Sequence, residues 1–196
     1  PYALENLVYH PDFRALMSMR YVIKMARSFG VQSDIPQVLS MPLGAIELSL
    51  EEMVALYGGM ATGQQPRFPG SRFKPGQVAG LLERSEVVEQ KHPTHLIQEI
   101  RDRHGNILYR ANRTLDEVSD PRFARLTVDV LSNVVLHGTG RRAHRALPNV
   151  PMAGKTGTTN AFRNAAFLGI VPSRTGLYTL GAYVGYDDNR SMRRSN

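Results

Sequence analysis

One short segment late in the sequence carries residue types suited to binding an anion. Lys155 supplies a cation, and Thr156 and Thr158 supply hydroxyls. These groups can hold a carboxylate through charge-assisted hydrogen bonds. Gly157 has no side chain, so a ligand could come close to the backbone there and lie along the strand edge as an added strand. The segment therefore predicts a docking strand for a ligand that ends in a carboxylate.

A second pair of residues has the types needed for nucleophilic catalysis. Ser71 and Lys74 are three positions apart, a spacing that puts two side chains on one face of a helix. A desolvated lysine near another cation can lose its proton and act as base to a serine, which then attacks a carbonyl and forms an acyl-enzyme. Pro75 follows directly and Gly76 comes next, which disfavours a helix that continues beyond Lys74.

Two amphipathic helices are predicted before Ser71. The first runs from about Asp12 to Phe29 and stops at Gly30. Its expected core stripe is Phe13, Leu16, Met17, Val22, Ile23, Ala26 and Phe29. Ser49 and Glu52 form a capping box for the second helix, whose apolar residues are Leu50, Met53, Val54, Tyr57 and Met60.

The next stretch of the chain is rich in glycine and proline. Gly58 and Gly59 are expected to loosen the end of the second helix. Residues 61–77 contain several prolines and glycines and few apolar residues, which predicts a loop. A β-hairpin is predicted over Leu96 to Arg110, with Gly105 in its turn.

One helix followed by a set of strands is predicted from Asp120 onward. Asp120 and Pro121 predict an N-cap followed by proline at the first helical position. The helix carries Phe123, Leu126, Val130, Leu131, Val134 and Val135 and is expected to stop at Gly138. Three strands are then predicted at about residues 152–158, 165–171 and 178–186. Helices first and an antiparallel sheet last indicate an α+β domain.

Composition sets the outer limits on the class of protein. The chain has 196 residues, 42% of them hydrophobic, which is enough for one domain with a core. Cysteine is absent, which removes disulfides and cysteine-based chemistry. No apolar run is long enough to span a membrane. The start at Pro1 lacks Met and has no signal-peptide pattern, which suggests a fragment of something longer.

The charge of the chain admits several kinds of partner. The formal net charge is +7, and a basic domain can bind nucleic acid, anionic lipid or an acidic polymer. Charge scattered along a chain more often marks a solvated surface. The histidines show no metal-binding spacing, and the sequence predicts neither a metal site nor a cofactor; they are His10, His92, His95, His104, His137 and His144.

The residues around Lys155 resemble one particular family. Ala153 to Asn160, Ala-Gly-Lys-Thr-Gly-Thr-Thr-Asn, resembles the Lys-Thr-Gly signature of class A (bifunctional) penicillin-binding proteins. His137 to Ala143 upstream, and Arg163 to Gly169 and Val184 to Asp188 downstream, resemble the same proteins in this order and at about this spacing. The Ser49 helix, the hairpin turn and residues 23–30 also fit, so the resemblance covers nearly the whole chain except residues 61–92.

This resemblance implies a fold and a set of roles. It implies an antiparallel sheet packed with helices, similar to serine β-lactamases and D,D-peptidases. Residues 1–196 would be one partial penicillin-binding transpeptidase-type domain, incomplete at the N-terminus, with an atypical loop at about 61–92. Lys155 would be catalytic and would bind substrate together with Thr156, Gly157 and Thr158. The backbone N–H of Thr158 would be one oxyanion-hole donor, whose loss typically costs about 10²–10³ in rate.

The sequence departs from the family pattern in two places. Leu7 and Tyr9 stand where the Ser-x-Asn signature belongs, and no Ser-x-Asn occurs elsewhere. Residues 69–75, around Ser71 and Lys74, resemble the nucleophile segment, although family order would put that segment before residue 1. Three interpretations stay open: a relocated active-site serine, domain pieces joined out of order, or a loop that matches by chance.

Two hypotheses about function follow from the resemblance. The first is a serine-type D,D-transpeptidase that crosslinks peptidoglycan stem peptides ending in D-Ala-D-Ala and is acylated by β-lactams. Such a domain would work on the periplasmic side of the inner membrane, in a longer protein with a membrane anchor and a glycosyltransferase domain. The second is a catalytically silent module that binds peptidoglycan or a partner. A nucleic-acid binder would rest on charge alone, so no nucleic-acid partner is predicted.

Overall fold

The computed structural model describes residues 11–38, 40, 41, 44, 46–67 and 96–192. In chain order, the elements are α1 (Pro11–Ser28), α2 (Leu50–Thr62), β1 (Gln64–Arg67), β2 (Glu99–Arg101), β3 (Ile107–Arg110), β4 (Thr114–Glu117), α3 (Pro121–Leu136), α4 (Arg141–Ala146), β5 (Ala153–Thr158), a 3-10 turn (Asn160–Phe162), β6 (Asn164–Ser173) and β7 (Gly176–Gly185).

The strands form three small antiparallel sheets. β1 pairs with β4, β2 pairs with β3, and the third sheet has the order β5-β6-β7. Helices precede and pack against this third sheet, which confirms the predicted α+β class. None of the helices in the described ranges is long and apolar enough to cross a membrane.

Helix α1 has nearly the bounds predicted from its apolar spacing, and Leu16, Ile23 and Ala26 of its predicted stripe pack against the core. Phe29 is buried as expected, whereas Met17 and Val22 are exposed. Met19, which was not predicted to be part of the stripe, packs in a core with Val31, Ile35 and Met41. The stripe prediction was wrong at Met17 and Val22, because the segment after the helix folds back over the face that carries Met19.

Helix α2 begins at the predicted capping box. The backbone N–H of Glu52 donates to Ser49 Oγ at 3.1 Å, and the backbone N–H of Ser49 donates to Glu52 Oε2 at 3.1 Å. Glu52 is buried, and it also accepts hydrogen bonds from the N–H groups of Gln32 and Ser33 and from the Ser33 hydroxyl. This carboxylate therefore joins the segment after α1 to the first turn of α2.

These hydrogen bonds control the ionisation of Glu52. Burial alone would raise its pKa, but the hydrogen bonds from Ser33, Gln32 and Ser49 outweigh burial and lower the pKa from 4.5 to about 2. The folded state thus favours the charged carboxylate more than the unfolded chain does.

The two glycines of α2 do not loosen the helix, contrary to the prediction. The helix continues to Thr62 and ends at Gly63, which has a φ of 73° and donates its N–H to the Gly59 carbonyl. A Cβ on Gly59 would lie 2.7 Å from Phe29 Cδ1 and 2.7 Å from Gln65 Oε1. Glycine is needed at position 59 because neighbouring side chains occupy the space that a Cβ would take. The loop prediction for 61–77 was wrong at residues 61–67, where the helix ends and β1 forms; residues 68–77 lie outside the described ranges.

The β2–β3 hairpin and helix α3 form where the sequence predicted them. β2 and β3 meet across a turn in which Gly105 has a φ of 84°. The Asp120 side chain accepts the N–H of Arg122 at 2.8 Å, with Pro121 at the start of α3. The helix ends at Leu136, two residues before the predicted stop. Three of its predicted apolar residues remain exposed, namely Phe123, Leu126 and Val130.

A small apolar core joins the helices to the three-stranded sheet. It is built on Ala61 of α2, Ala153 of β5 and Ile170 of β6, with Tyr57, Val128 and Leu131 packed against it. Ala153 and Ile170 are opposite each other in the β5–β6 register. The start of β5 is thus fixed against two helices, and the rest of the strand extends beyond this core.

Replacing Glu52 with Gln tests the buried carboxylate. Because the pKa of Glu52 in the folded state, about 2, lies below its ordinary value of 4.5, the carboxylate stabilises the fold above pH 4.5, and this contribution is lost as the pH falls toward 2. We expect Glu52→Gln to lower the free energy of unfolding by on the order of 2 kcal/mol at pH 7. Urea denaturation at pH 7 and at pH 3 checks this. The difference in free energy of unfolding between wild type and Glu52→Gln should be smaller at pH 3 than at pH 7. Glu47→Gln, at an exposed glutamate just before α2, is the control; an equal effect of both changes would contradict the assignment.

Candidate functional site

The Lys155 segment occupies an edge strand of the three-stranded sheet. Strand β5 pairs with β6 on one side, and no described strand pairs with its other side. Ala153 and Gly154 are buried, Thr156 is half-buried, and Lys155 and Thr158 are exposed. Since side chains and backbone groups alternate along a strand, part of the N–H and C=O groups of β5 faces the open edge. The strand can therefore accept an additional strand.

The alternation of the strand divides the segment between two faces. Ala153 lies opposite Ile170 in the core, and Lys155, two residues on, lies opposite Leu168 on that same face. Thr156 lies on the other face, opposite Phe167. The cation and this hydroxyl thus lie on different faces of β5 and can act on one ligand only along the open edge.

The ammonium group of Lys155 lies against its own strand. Lys155 Nζ donates to the Thr156 carbonyl oxygen at 2.7 Å. None of the ion pairs among the described residues involves Lys155. The cation therefore remains available to a ligand carboxylate, since a neutral carbonyl leaves its positive charge uncompensated.

Thr156 is held by a residue that the sequence did not identify as part of a site. Its Oγ1 donates to Thr139 Oγ1 at 2.7 Å. Thr139 was noted only as part of a longer family-like string, and its contact with β5 is set by tertiary packing. The one available signal was a hydroxyl flanked by two glycines just after a helix.

The glycines beside Thr139 allow its loop to close against the end of α3. A Cβ on Gly138 would lie 2.9 Å from the Val134 carbonyl oxygen, and a Cβ on Gly140 would lie 3.2 Å from the same oxygen. Both glycines donate their N–H to that oxygen at 3.0 Å. Larger residues would push the loop outward, and Thr139 would then move away from Thr156.

A turn with unusual backbone angles follows the candidate docking strand. Ala161 and Phe162 have φ values of 58° and 52°, although neither is glycine. Such angles cost about 1–2 kcal/mol per residue. Contacts from the end of the described chain hold the turn: Ser191 Oγ donates to the Ala161 carbonyl, and the Met192 N–H donates to the Phe162 carbonyl. The sequence predicted a break between two strands at Asn160, but it did not predict these backbone angles, because no glycine marks them.

The two catalytic candidates remain predictions. Ser71 and Lys74 lie outside the described residues, as do Leu7 and Tyr9, so no geometry tests their roles. The described part of the chain brings Lys155, Thr156 and Thr158 together on one strand, as predicted. It contains no group of His, Asp or Glu side chains placed to hold a metal ion.

Solved structures place this arrangement in a known fold. Penicillin-binding protein 1A from Haemophilus influenzae superposes with a TM-score of 0.63 at 18% identity, over 93% of this chain and 29% of that chain. An imipenem acyl-enzyme complex of penicillin-binding protein A from M. tuberculosis gives a TM-score of 0.54 at 16% identity, over 82% of this chain and 35% of that one. The described residues therefore have an α+β penicillin-binding fold, which confirms the predicted fold class.

Comparison with the sequences of curated proteins identifies homologues of this chain. The chain is 30% identical over 201 residues to penicillin-binding protein 1A of Neisseria gonorrhoeae, and 28% identical over 168 residues to penicillin-binding protein 1B of Vibrio cholerae. These alignments cover 98% and 81% of this chain but 21% of each relative. No family model matches the chain. The chain is a homologue of the class A penicillin-binding proteins and spans about a fifth of the length of the curated relatives it matches, consistent with a C-terminal transpeptidase part.

Two glycines of β5 give a test of which positions the fold needs. A Cβ on Gly154 would lie 2.6 Å from the Leu168 carbonyl oxygen and 2.7 Å from Phe167 Cζ, whereas a Cβ on Gly157 would meet only Ala166 Cβ, at 3.6 Å. We expect Gly154→Ala to lower the free energy of unfolding by about 1–3 kcal/mol because it overpacks the β5–β6 pair. Gly157→Ala should change it by less than about 1 kcal/mol. Urea denaturation of both variants checks the contrast, and equal losses would show that the register of β5 is wrong.

Proposed function

We propose that this chain carries the substrate-docking strand of a peptidoglycan D,D-transpeptidase-type acyltransferase. The observation that supports the proposal is the open edge of β5, which presents Lys155, Gly157 and Thr158 beyond a buried start. The homology to penicillin-binding proteins supports the same class of activity. Its substrates are stem peptides that end in D-Ala-D-Ala, and β-lactams acylate the same site.

In this proposal the peptide lies along β5 as an added strand. Its terminal carboxylate binds the Lys155 ammonium group and the hydroxyls of Thr156 and Thr158. The backbone N–H of Thr158 donates to the carbonyl oxygen that becomes negative in the tetrahedral intermediate. Gly157 leaves room for the peptide backbone, because among the described residues the nearest atom to a Cβ built there is Ala166 Cβ, at 3.6 Å.

The proposed chemistry assigns the nucleophile to Ser71 and the base to Lys74. Lys74 in its neutral form takes the hydroxyl proton as Ser71 Oγ attacks the carbonyl of the penultimate D-Ala. The peptide bond then breaks, the terminal D-Ala leaves as an amine that takes up the proton, and an acyl-serine ester remains. The amine of a second stem peptide attacks this ester, forms the crosslink and returns the proton to Ser71. No metal or cofactor takes part.

The proposal extends to the protein that would contain this domain. Residues 1–196 form one partial transpeptidase-type domain on the periplasmic side of the inner membrane. A membrane anchor and a glycosyltransferase domain would belong to other parts of a longer protein. The partners are peptidoglycan stem peptides and β-lactams, with no nucleic acid.

A second candidate function is a catalytically silent module that binds peptidoglycan or a partner. Leu7 and Tyr9 favour it, because they replace the hydroxyl and the amide of the Ser-x-Asn signature. Such a module would keep the docking strand and bind stem peptides without cleaving them.

Acylation by a labelled penicillin separates the two candidates. We expect a covalent adduct on wild type, located on Ser71 by mass mapping, and none on Ser71→Ala. Removing one charge-assisted partner costs about 1.5–3 kcal/mol, so Lys155→Gln should slow acylation about 10- to 100-fold. Lys24→Gln, at an exposed lysine on α1, should leave the rate unchanged. Gly157→Ala should slow acylation while the protein stays folded.

Other outcomes would overturn these assignments. An adduct on another serine would remove the catalytic role of Ser71. A folded wild type that stays unlabelled would rule out catalysis by this chain. Stem-peptide binding that Lys155→Gln weakens would then support the silent module.

A further inference from the structure

The Thr156 hydroxyl has a single proton, which it donates to another threonine. Thr156 Oγ1 donates to Thr139 Oγ1 at 2.7 Å. In the proposed function the same hydroxyl binds a carboxylate, and an ionised carboxylate can only accept hydrogen bonds. Because a threonine hydroxyl has one proton to donate, Thr156 cannot donate it both to Thr139 and to the ligand. The hydrogen bond between the two threonines therefore has to change when a ligand binds.

Thr139 can take over the role of donor. A hydroxyl oxygen also accepts hydrogen bonds, and its proton rotates about the C–O bond, so Thr139 Oγ1 can donate to Thr156 Oγ1 across the same distance. Within the described ranges, Thr156 is the only hydrogen-bond partner of the Thr139 hydroxyl. No other group there competes for the Thr139 proton. Reversal of the hydrogen bond thus leaves the Thr156 proton available to a ligand.

The backbone that carries Thr139 is held by packing. The two neighbours of Thr139 in the chain, Gly138 and Gly140, both donate their N–H to the Val134 carbonyl at 3.0 Å, and Gly140 is buried. These hydrogen bonds fix the loop on the end of α3, and α3 packs against the apolar core at the start of β5. The distance between the two threonines is therefore set by contacts on both sides.

Both side chains of the pair are short and have few rotamers. Threonine is branched at Cβ, which restricts its χ1 angle. Thr156 is also half-buried, and it lies opposite Phe167 in the β5–β6 register. The two Oγ1 atoms thus meet without the freedom of long side chains, and the contact can control the direction of the Thr156 hydroxyl.

We infer that Thr139 is a positioning residue, which donates to Thr156 Oγ1 in the ligand complex and so directs the Thr156 proton to the ligand carboxylate. This inference rests on the proposed function, in which Thr156 binds the terminal carboxylate. Thr139 acts through Thr156 and does not itself have to contact the ligand. Hydrogen bonds in series polarise one another, so Thr156 binds a carboxylate more strongly when it accepts from Thr139 than when it stands alone.

Variants that lose or keep the Thr139 hydroxyl test this role. The probe is an N-acetylated peptide ending in D-Ala-D-Ala, and the measurement is its equilibrium Kd with the full chain. We expect Thr139→Val, which removes the hydroxyl but keeps the shape, to raise Kd about three- to tenfold, the effect of one neutral hydrogen bond. Thr139→Ser keeps the hydroxyl and should bind like wild type. Thr127→Val is the matched control and should leave Kd unchanged, because the Thr127 hydroxyl donates to the Phe123 carbonyl within α3.

A double-mutant cycle with Thr156→Val separates positioning from a structural role. Thr156→Val should raise Kd at least as much as Thr139→Val does. Adding Thr139→Val to Thr156→Val should raise Kd no further, because the hydroxyl through which Thr139 acts is already missing. A Thr139 side chain that only held the loop would weaken binding by the same factor in both proteins.

The outcomes separate this inference from the proposed function. The inference is wrong if Thr139→Val or Thr156→Val binds the peptide like wild type, or if Thr139→Val keeps its full effect in the Thr156→Val protein. It is also wrong if Thr139→Ser or Thr127→Val weakens binding as much as Thr139→Val. In each of these cases the docking strand stands, provided that Lys155→Gln weakens binding. If wild type does not bind the peptide, the docking function fails and the inference fails with it.

Discussion

The contact between Ala153 and Ile170 fixes the position of everything that follows it on β5. Both side chains are almost fully buried, at 2% and 1% exposure, and they are directly opposite each other between the sheet and its helices. A slip of one residue would turn Ala153 outward and bring Gly154 to the core face, which would open a void. The register of β5 is therefore set by apolar packing, and the exposed Lys155 takes its place as a consequence.

Close packing by glycines extends this constraint across the same face of the sheet to β7. A Cβ on Gly181 would lie 2.8 Å from side-chain atoms of both Leu50 and Val54, so helix α2 approaches β7 where β7 has no side chain. Gly59 allows Phe29 to reach the same helix from the other direction. Glycine lowers helix propensity by about 1 kcal/mol, but here the packing that it permits outweighs that cost. For this reason local propensity misjudged the end of α2.

The sequence predicted those features whose cause is local. The capping box at Ser49 and Glu52, the Asp120 N-cap and the hairpin turn at Gly105 each depend on a few neighbouring residues, and each is present. Strand β5 also forms where it was predicted, at Ala153–Thr158, while its docking role stays a prediction. The hydrogen bond from Thr156 to Thr139 was not, since it joins residues 17 positions apart through the packing of a loop on α3.

Acidic residues are unevenly distributed along the sequence, and the stretch that contains β5 has none. Hydrogen bonds from Arg110 and Arg101 lower the pKa of Glu99, and hydrogen bonds from Arg122 lower the pKa of Asp120. Each of these carboxylates is therefore bound by an arginine close to it in the structure. No acidic residue lies between Asp129 and Asp187. Interactions between exposed charges fade beyond about 8 Å at physiological ionic strength. Only charges close to β5 can therefore act on Lys155. The positive charge of Lys155 is therefore not offset by any acidic residue from its own stretch of the sequence.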